Sequence, residues 1–159
     1  EQGLYEYQPQ SIDIAKLLQK LRFDFDTLAR VRNVLIEIFV NKKLLSDKCS
    51  TVVLGEELLF YSMLSNLISN AIEASPEEGT VSVHVSTGKM LFLLIRNDGV
   101  VPEDIRDSFF EKYITHGKKY GTGLGTYSAK LMAETMGGSI KMDTDADSGT
   151  CLTVAIPLG

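Results

Sequence analysis

The sequence predicts an α+β protein, a two-layer α/β sandwich in which helices pack on one face of a mixed β-sheet. Two observations lead to this fold class. Stretches of alternating apolar residues and stretches with apolar residues at helical spacing interleave along the chain, and no interdomain linker separates them. A length of 159 residues with 44% hydrophobic side chains suffices for one packed core. We therefore interpret residues 1–159 as a single domain.

The first half of the chain predicts two helices that flank two strands. Ser11 can cap a helix that runs to about Arg30, because apolar residues recur there at helical spacing. In residues 34–40, β-branched side chains occupy every second position, which indicates a strand, and residues 51–54 indicate a second, shorter strand. A long helix follows, from about residue 56 to residue 75.

The second half predicts a hairpin and then a long segment with little regular structure. Residues 80–86 and 90–96 flank a Thr-Gly-Lys turn, so we expect them to pair as antiparallel strands. Residues 97–120 are irregular by pattern, apart from a short helical piece near 103–112.

A glycine-rich segment, Gly-Thr-Gly-Leu-Gly at 121–125, opens the last predicted helix, which ends at the glycine pair 137–138. Residues 139–142 and 150–156 are consistent with a final hairpin. Helices and strands that interleave in this way are typical of one mixed sheet with the helices on a single face.

Composition limits the classes of partner. Lysine and arginine total 16 against 21 acidic residues, so the net charge of −5 gives no general attraction to nucleic acid or to an anionic membrane. No apolar run approaches the roughly 20 residues of a membrane helix, so we expect the domain itself not to be membrane-inserted. The two cysteines form no CxxC pair, which favours a cytoplasmic location, although a parent protein can still be membrane-anchored.

The long helix carries three polar residues on one side: Asn66, Asn70 and Glu73 follow each other at helical spacing. The opposite side is apolar and consists of Leu64, Leu67, Ile68, Ala71 and Ile72. An asparagine inside a helix costs about 0.7 kcal/mol relative to alanine, so two in register invite an explanation. A solvated polar face is one explanation. The other is a ligand role, because an amide oxygen suits Mg²⁺ that is held together with substrate phosphates.

Two further segments have the chemistry of a nucleotide site. Glycines at 121–125 let the backbone approach a ligand, and the helix that follows directs free N–H groups toward an anion such as phosphate. Lys118 and Lys119 precede this segment and can reach the same phosphates, although a plain turn with solvated charges fits the pattern as well.

Residues 96–99, Arg-Asn-Asp-Gly, follow an apolar strand, where an Asn or Asp can accept a hydrogen bond from an adenine amino group.

These three features, in this order, resemble the ATP-binding fold shared by histidine kinases, DNA gyrase, MutL-type repair ATPases and the large heat-shock chaperones, known as the Bergerat fold. The matching segments are residues 64–71 (N-box), 97–99 (first glycine box), 110–113 (F-box), 121–125 (second glycine box) and 148–157 (terminal strand). Residues 12–14 are similar to the start of a kinase catalytic domain, so the resemblance covers nearly the whole chain.

The resemblance implies roles for individual residues, with ATP and Mg²⁺ as the cofactors. Asn70 coordinates the Mg²⁺ that bridges the ATP phosphates, and Asn66 lies beside it, which makes these two the catalytic candidates. The second glycine box cradles the phosphates, and residues 100–120 form a lid. The implied ATP contacts are Asn66, Asn70, Glu73, Asn97, Asp98, Gly99, Lys112, Tyr113, Lys118, Gly121, Thr122, Gly123, Leu124, Gly125 and Thr150.

Position 66 distinguishes among the relatives. The ATP-hydrolysing and serine-phosphorylating members carry a glutamate there as general base, whereas this chain has an asparagine, which cannot take up a proton at neutral pH. A histidine ring nitrogen is nucleophilic without such a base. The resemblance therefore implies a sensor histidine kinase domain that phosphorylates a histidine on the dimerisation domain of its parent chain, with a response regulator as the further partner. A gyrase-type or chaperone-type ATPase is disfavoured.

The chain also departs from the family pattern. Asn97 replaces the aspartate of the first glycine box, Val101 replaces its second glycine, and Glu73 replaces a lysine of some kinases. Because Leu93 and Ile95 precede Asn97 at two-residue spacing, strand alternation selects Asn97 rather than Asp98 for the adenine contact. These departures keep a second hypothesis open, a degenerate domain that acts as a non-catalytic binding module.

The chain contains two histidines, and neither has the setting of a phosphoacceptor. His84 lies on the outward face of a predicted strand and His116 lies in the predicted lid, whereas such kinases use a His-Glu or His-Asp pair on a helix. We therefore expect the dimerisation and phosphoacceptor region to lie outside these residues, in a longer protein from which this chain is a fragment.

Overall fold

The computed structural model of the chain describes residues 5–114 and 124–158. Its strands are β1 (Gln10–Asp13), β2 (Leu35–Val40), β3 (Lys43–Leu44), β4 (Val52–Gly55), β5 (Thr80–Thr87), β6 (Met90–Asn97), β7 (Ser139–Asp145) and β8 (Gly149–Pro157). Its α-helices are α1 (Ile14–Val31), α2 (Glu57–Ala74) and α3 (Gly125–Thr135), and a 3₁₀ helix spans Glu103–Ile105.

Six of the strands form one mixed sheet in the order β3-β2-β5-β6-β8-β7. Strands β2 and β5 run parallel, while the other neighbours in this sheet are antiparallel. Both predicted hairpins are present, with β5 paired to β6 and β7 paired to β8. Strands β1 and β4 pair separately as a two-stranded sheet.

The helices cover one face of the six-stranded sheet. In the central strands every second residue is fully or almost fully buried: Val81, Val83, Val85, Leu91, Leu93, Ile95, Leu152, Val154 and Ile156. These residues lie in register across the sheet, so they form one continuous apolar surface. Apolar residues of α1 and α2 pack against it, including Leu18, Leu21, Leu64 and Ile68, which are at most 1% exposed. The two-layer α/β fold class is confirmed.

None of the helices that the structure describes combines the length and the hydropathy needed to cross a membrane.

The start of α1 differs from the prediction. Asp13, not Ser11, caps the helix, and its Oδ1 accepts hydrogen bonds from the N–H groups of Ala15 and Lys16 at 3.1 and 3.3 Å. Ser11 belongs to strand β1, where it pairs with Leu54. The same Asp13 carboxylate also accepts bonds from the Thr51 N–H at 3.0 Å and from the Ser50 hydroxyl at 2.6 Å. Asp13 thus joins the start of α1 to the loop before β4.

The predicted helical piece at 103–112 was also wrong over most of its length, since only Glu103–Ile105 is helical, as 3₁₀. The carbonyl of Phe109 accepts a hydrogen bond from the Thr126 hydroxyl of α3 at 2.9 Å instead of serving a helix of its own. Phe109 and Phe110 pack edge to face, with ring centroids 4.9 Å apart. Contacts with α3 therefore override the local helical pattern.

Replacing Asp13 by alanine should lower the free energy of unfolding by about 1–2 kcal/mol, because the helix loses its N-cap and the loop before β4 loses its anchor. Urea denaturation measures the change. The matched control is Asp26→Ala, which removes an exposed ion pair between Asp26 and Arg30 and should change stability by less than about 0.5 kcal/mol.

The contribution of Asp13 to the free energy of unfolding should also depend on pH, and it should decrease on acidification. Partial burial raises the pKa of the Asp13 carboxyl, but the hydrogen bonds from Ser50, Thr51, Lys16 and Ala15 outweigh it and hold the pKa below its ordinary value. The unfolded state then binds the proton first as the pH falls, so this stabilisation is present above the unfolded pKa and is lost on acidification. The difference between parent and Asp13→Ala should shrink below about pH 4. A difference that stays constant into strong acid would contradict this assignment.

Candidate nucleotide-binding site

Helix α2 presents its polar residues along the edge of its packed face. The predicted apolar residues Leu64, Leu67, Ile68, Ala71 and Ile72 are all at most 1% exposed. Asn66 and Asn70 are half-buried, and Glu73, one turn further, is exposed. Burial of the apolar stripe fixes the rotation of the helix, and this rotation leaves the two amides at the margin of the core rather than in it.

Gly99 of the first glycine box and Gly125 of the second both lie against α2, at different points along it. A Cβ atom built on Gly125, at the start of α3, would lie 3.9 Å from the Cβ of Asn66. A Cβ atom on Gly99 would lie only 2.2 Å from the backbone oxygen of Ala74, so no side chain fits there. The eight residue steps from 66 to 74 span about 12 Å along the helix, and Asn70 lies halfway. The structure thus arranges the described parts of the three motifs along one helix.

The end of β6 carries Asn97 toward the helices and Asp98 away from them. Asn97 is 6% exposed and continues the buried series Leu91, Leu93 and Ile95. Its Oδ1 accepts a hydrogen bond from the Gly99 N–H at 2.8 Å. Asp98 is exposed, and its Oδ2 accepts a bond from the Thr80 N–H at 3.0 Å. Strand alternation therefore predicted the two orientations correctly, while the adenine contact itself stays a prediction.

Thr150 connects the terminal strand to the first glycine box. It is 4% exposed and lies opposite Asn97 in the register of β6 and β8. Its hydroxyl donates to the Gly99 carbonyl at 2.8 Å and lies 2.9 Å from the Thr144 hydroxyl. The Thr144 oxygen also accepts a bond from the Val101 N–H at 3.1 Å. Two threonine hydroxyls thus hold the backbone of residues 99–101.

The same contacts explain how Val101 replaces a glycine. Its side chain is buried, its N–H is bound by Thr144, and its carbonyl accepts a bond from the Arg106 Nε at 2.9 Å. Besides Gly99, a second close contact that demands a glycine is found at Gly149, whose φ is +78° and whose added Cβ would lie 2.2 Å from the Asn97 carbonyl oxygen.

The predicted lid is described up to residue 114. Lys112 places its Nζ 4.8 Å from the ring centroid of Tyr127 on α3, and Tyr113 is 70% exposed with a φ of +64°. Their contacts with ATP stay predictions. The predicted contacts Lys118, Gly121, Thr122 and Gly123 lie outside the described residues, whereas Leu124 directly precedes α3 and is half-buried.

Thr144 and Arg106 were not among the predicted site residues. Thr144 lies directly opposite Thr150 in the β7–β8 hairpin. The sequence signal for it is weak, because residues 143–145 are Asp-Thr-Asp, which does not look like a strand. Extending the predicted hairpin pairing toward its turn would have placed Thr144 beside Thr150.

Comparison with protein families agrees with this arrangement. Residues 55–159 match the family model described as histidine kinase-, DNA gyrase B-, and HSP90-like ATPase. This chain belongs to that family. The matched region contains all of α2 and the described parts of both glycine boxes.

Curated relatives of this ATPase domain include two kinases of Bacillus subtilis. It is 31% identical over 104 residues to sensor histidine kinase WalK of Bacillus subtilis, a match that covers 60% of this chain and 17% of WalK. It is 27% identical over 142 residues to sporulation kinase A of the same organism, covering 88% of this chain and 23% of that kinase. The chain thus spans less than a quarter of the length of either relative.

Solved histidine kinase structures share the fold. The catalytic domain of histidine kinase ThkA superposes with a TM-score of 0.78 at 23% identity, covering 95% of this chain and 96% of that one. Full-length ShkA, solved in complex with AMPPNP, gives a TM-score of 0.81 at 21% identity and covers 99% of this chain and 32% of that one. Another matching structure holds ThkA in complex with the response regulator protein TrrA, with a TM-score of 0.75 at 20% identity, covering 96% of this chain and 42% of that one.

Replacing Asn97 by aspartate should tighten ATP binding to this ATPase domain by up to about 1 kcal/mol, because a carboxylate accepts a stronger hydrogen bond from the adenine amino group. Asp98→Ala should change ATP affinity less, since the Asp98 carboxylate faces the Thr80 N–H. Isothermal titration calorimetry measures both. Loss of binding in Asp98→Ala together with no effect of Asn97→Asp would exclude the assignment of Asn97 to the base.

Proposed function

We propose that this domain binds Mg-ATP and transfers the γ-phosphoryl group to a histidine on a separate helical dimerisation domain of its parent protein. The observation that carries the proposal is the asparagine at position 66, half-buried beside the start of α3. A carboxylate there would activate water or a hydroxyl, which an amide cannot do. In the proposed reaction the bond from the γ-phosphorus to the bridging oxygen breaks, a phosphorus–nitrogen bond forms, and ADP leaves.

The arrangement along α2 supports one orientation of the nucleotide. The base lies at the Ala74 end, against Asn97, Gly99 and Thr150. The phosphates lie about 12 Å away along the helix, at the Asn66 end, where Gly125 begins α3 and its N-terminus favours an anion. Residues 100–120 act as the lid over the bound nucleotide.

Asn70 fits Mg²⁺ as one member of a mixed ligand set. It is half-buried and lies midway between the proposed base and phosphate ends of the site. Mg²⁺ usually takes one or two protein oxygens together with phosphates and water, so a single amide oxygen is sufficient. When bound, the ion neutralises phosphate charge, while Asn70 and Asn66 orient the triphosphate.

We further propose a response regulator as the downstream partner, a cytoplasmic location, and a single domain for residues 1–159. The ThkA complex with TrrA supports such a partner by analogy of fold.

Residues 97 and 101, which depart from the family pattern, favour the second candidate function, a non-catalytic binding module. Nucleotide binding with and without Mg²⁺ discriminates between the two functions.

Asn70→Ala should remove the Mg²⁺-dependent part of the ATP affinity and leave the fold intact, because its amide lies at the margin of the core. Calorimetry with and without Mg²⁺ measures the affinity, and circular dichroism monitors the fold. Ser69→Ala is the matched control, since adjacent helical residues point about 100° apart. If Asn70→Ala binds Mg-ATP as tightly as the parent, then Asn70 is not the ligand, and unfolding would make the residue structural.

With Mg-ATP alone, the chain should hydrolyse almost nothing and should not label itself, because position 66 carries no carboxylate and neither His84 nor His116 is followed by Glu or Asp, as a phosphoacceptor histidine is. Added to the histidine-bearing helical segment of its parent protein, it should label that segment with an acid-labile, base-stable phosphoryl group. Radiolabelled ATP and gel analysis measure both. Rapid ATP turnover by the chain alone would indicate an ATPase, and binding without transfer would indicate a binding module.

A further inference from the structure

Hydrogen bonding fixes the orientation of the Asn97 amide. The Gly99 N–H can only donate, so the Asn97 atom that faces it at 2.8 Å must be the oxygen. The other branch of the planar amide is therefore the NH₂ group. Turning the amide over would point two donors at each other.

Neighbouring contacts hold this orientation in place. Gly99 cannot shift toward α2, because its α-carbon already lies against the Ala74 carbonyl, and its own carbonyl is bound by Thr150. On the other side, Gly149 packs against the Asn97 backbone. The Gly99 N–H therefore stays where it is, and Asn97 keeps its oxygen on it.

The Asn97 NH₂ group is a hydrogen-bond donor with no bond to any residue that the structure describes. The oxygen keeps one lone pair beyond the bond from Gly99. The amide can thus offer a purine edge both an acceptor and a donor. An aspartate bonded to Gly99 in the same way would offer acceptors only.

We propose that Asn97 makes this site accept purine nucleoside triphosphates with either an amino or an oxo group at position 6 of the base. The inference rests on the proposed function, which places the base against Asn97. A 6-amino group donates to the remaining lone pair of Oδ1, as in ATP. A 6-oxo group, as in inosine or guanosine triphosphate, accepts from the NH₂ group when the base lies displaced along the amide edge by the spacing between Oδ1 and Nδ2. Asn97 is then the residue that sets base specificity, and the site is less selective than one with an aspartate.

The direct test uses calorimetry to compare the affinities of the unsubstituted chain for the Mg²⁺ complexes of ATP, inosine triphosphate and uridine triphosphate. Inosine triphosphate changes the 6-amino group to an oxo group without adding the 2-amino group of guanine. Its Kd should lie within about threefold of that of ATP, because one net hydrogen bond is exchanged for another. Uridine triphosphate should bind at least tenfold more weakly than either.

Asn97→Asp should then restore selection for ATP and raise the ratio of the two purine Kd values at least tenfold, since a carboxylate repels the oxo group. Asn33→Asp, which adds the same charge on the exposed turn after α1, should leave the ratio unchanged. The comparison of the three triphosphates on the unsubstituted chain remains decisive even if Asn97→Asp fails to fold.

The outcomes separate the inference from the function on which it rests. ATP binding with inosine triphosphate more than tenfold weaker overturns the inference and leaves the proposed function standing. Equal binding of uridine triphosphate, or an unchanged ratio in a folded Asn97→Asp variant, also overturns it. If no triphosphate binds, the proposed function fails and the inference fails with it.

Discussion

The site depends on the two-sided character of helix α2. Its apolar stripe, from Leu64 to Ile72, must face the sheet, because exposing its leucine and isoleucine side chains to water would cost about 2 kcal/mol each. With 3.6 residues per turn, that requirement alone determines where Asn66 and Asn70 point. The same helix also receives Gly125 at one position and Gly99 at another. Core packing and site geometry are therefore one constraint, and a rotation of α2 would disturb both.

Backbone contacts and threonine hydroxyl groups hold the end of β6 and the residues that follow it in place. Gly99 and Gly149 allow backbones to approach closely, and Thr150 and Thr144 bind the backbone groups that these approaches leave available. The buried Asn97 amide is fixed within this arrangement. Its oxygen is committed to Gly99, so the replacement of aspartate by asparagine changes the donor pattern of the site as well as its charge. If the base lies against Asn97 as proposed, position 97 affects both affinity and selectivity for the base.

The sequence predicted what depends on local periodicity. The amide side of α2, the inward position of Asn97 and both hairpins follow from spacing alone, and the structure confirms them. Features that depend on distant partners were missed. Strand β1 is a polar tetrapeptide that pairs with residues 52–55, so nothing local distinguishes it from a helix start. Likewise, Thr144 is recognisable only from the register with Thr150, and the Asn97 amide orientation only from its bond to Gly99.

Amide chemical-shift mapping by NMR during a titration with Mg-ATP tests the central claim most directly, because it reports on every described part of the chain at once. If the nucleotide lies along α2 as proposed, the largest changes fall at Asn66, Asn70, residues 97–101 and Thr150, with little change on the exposed face of the sheet. Changes that concentrate instead around the cavity of about 790 Å³ between residues 5–13 and helix α1, lined by Tyr5, Lys16 and Glu56, would contradict this placement of the nucleotide.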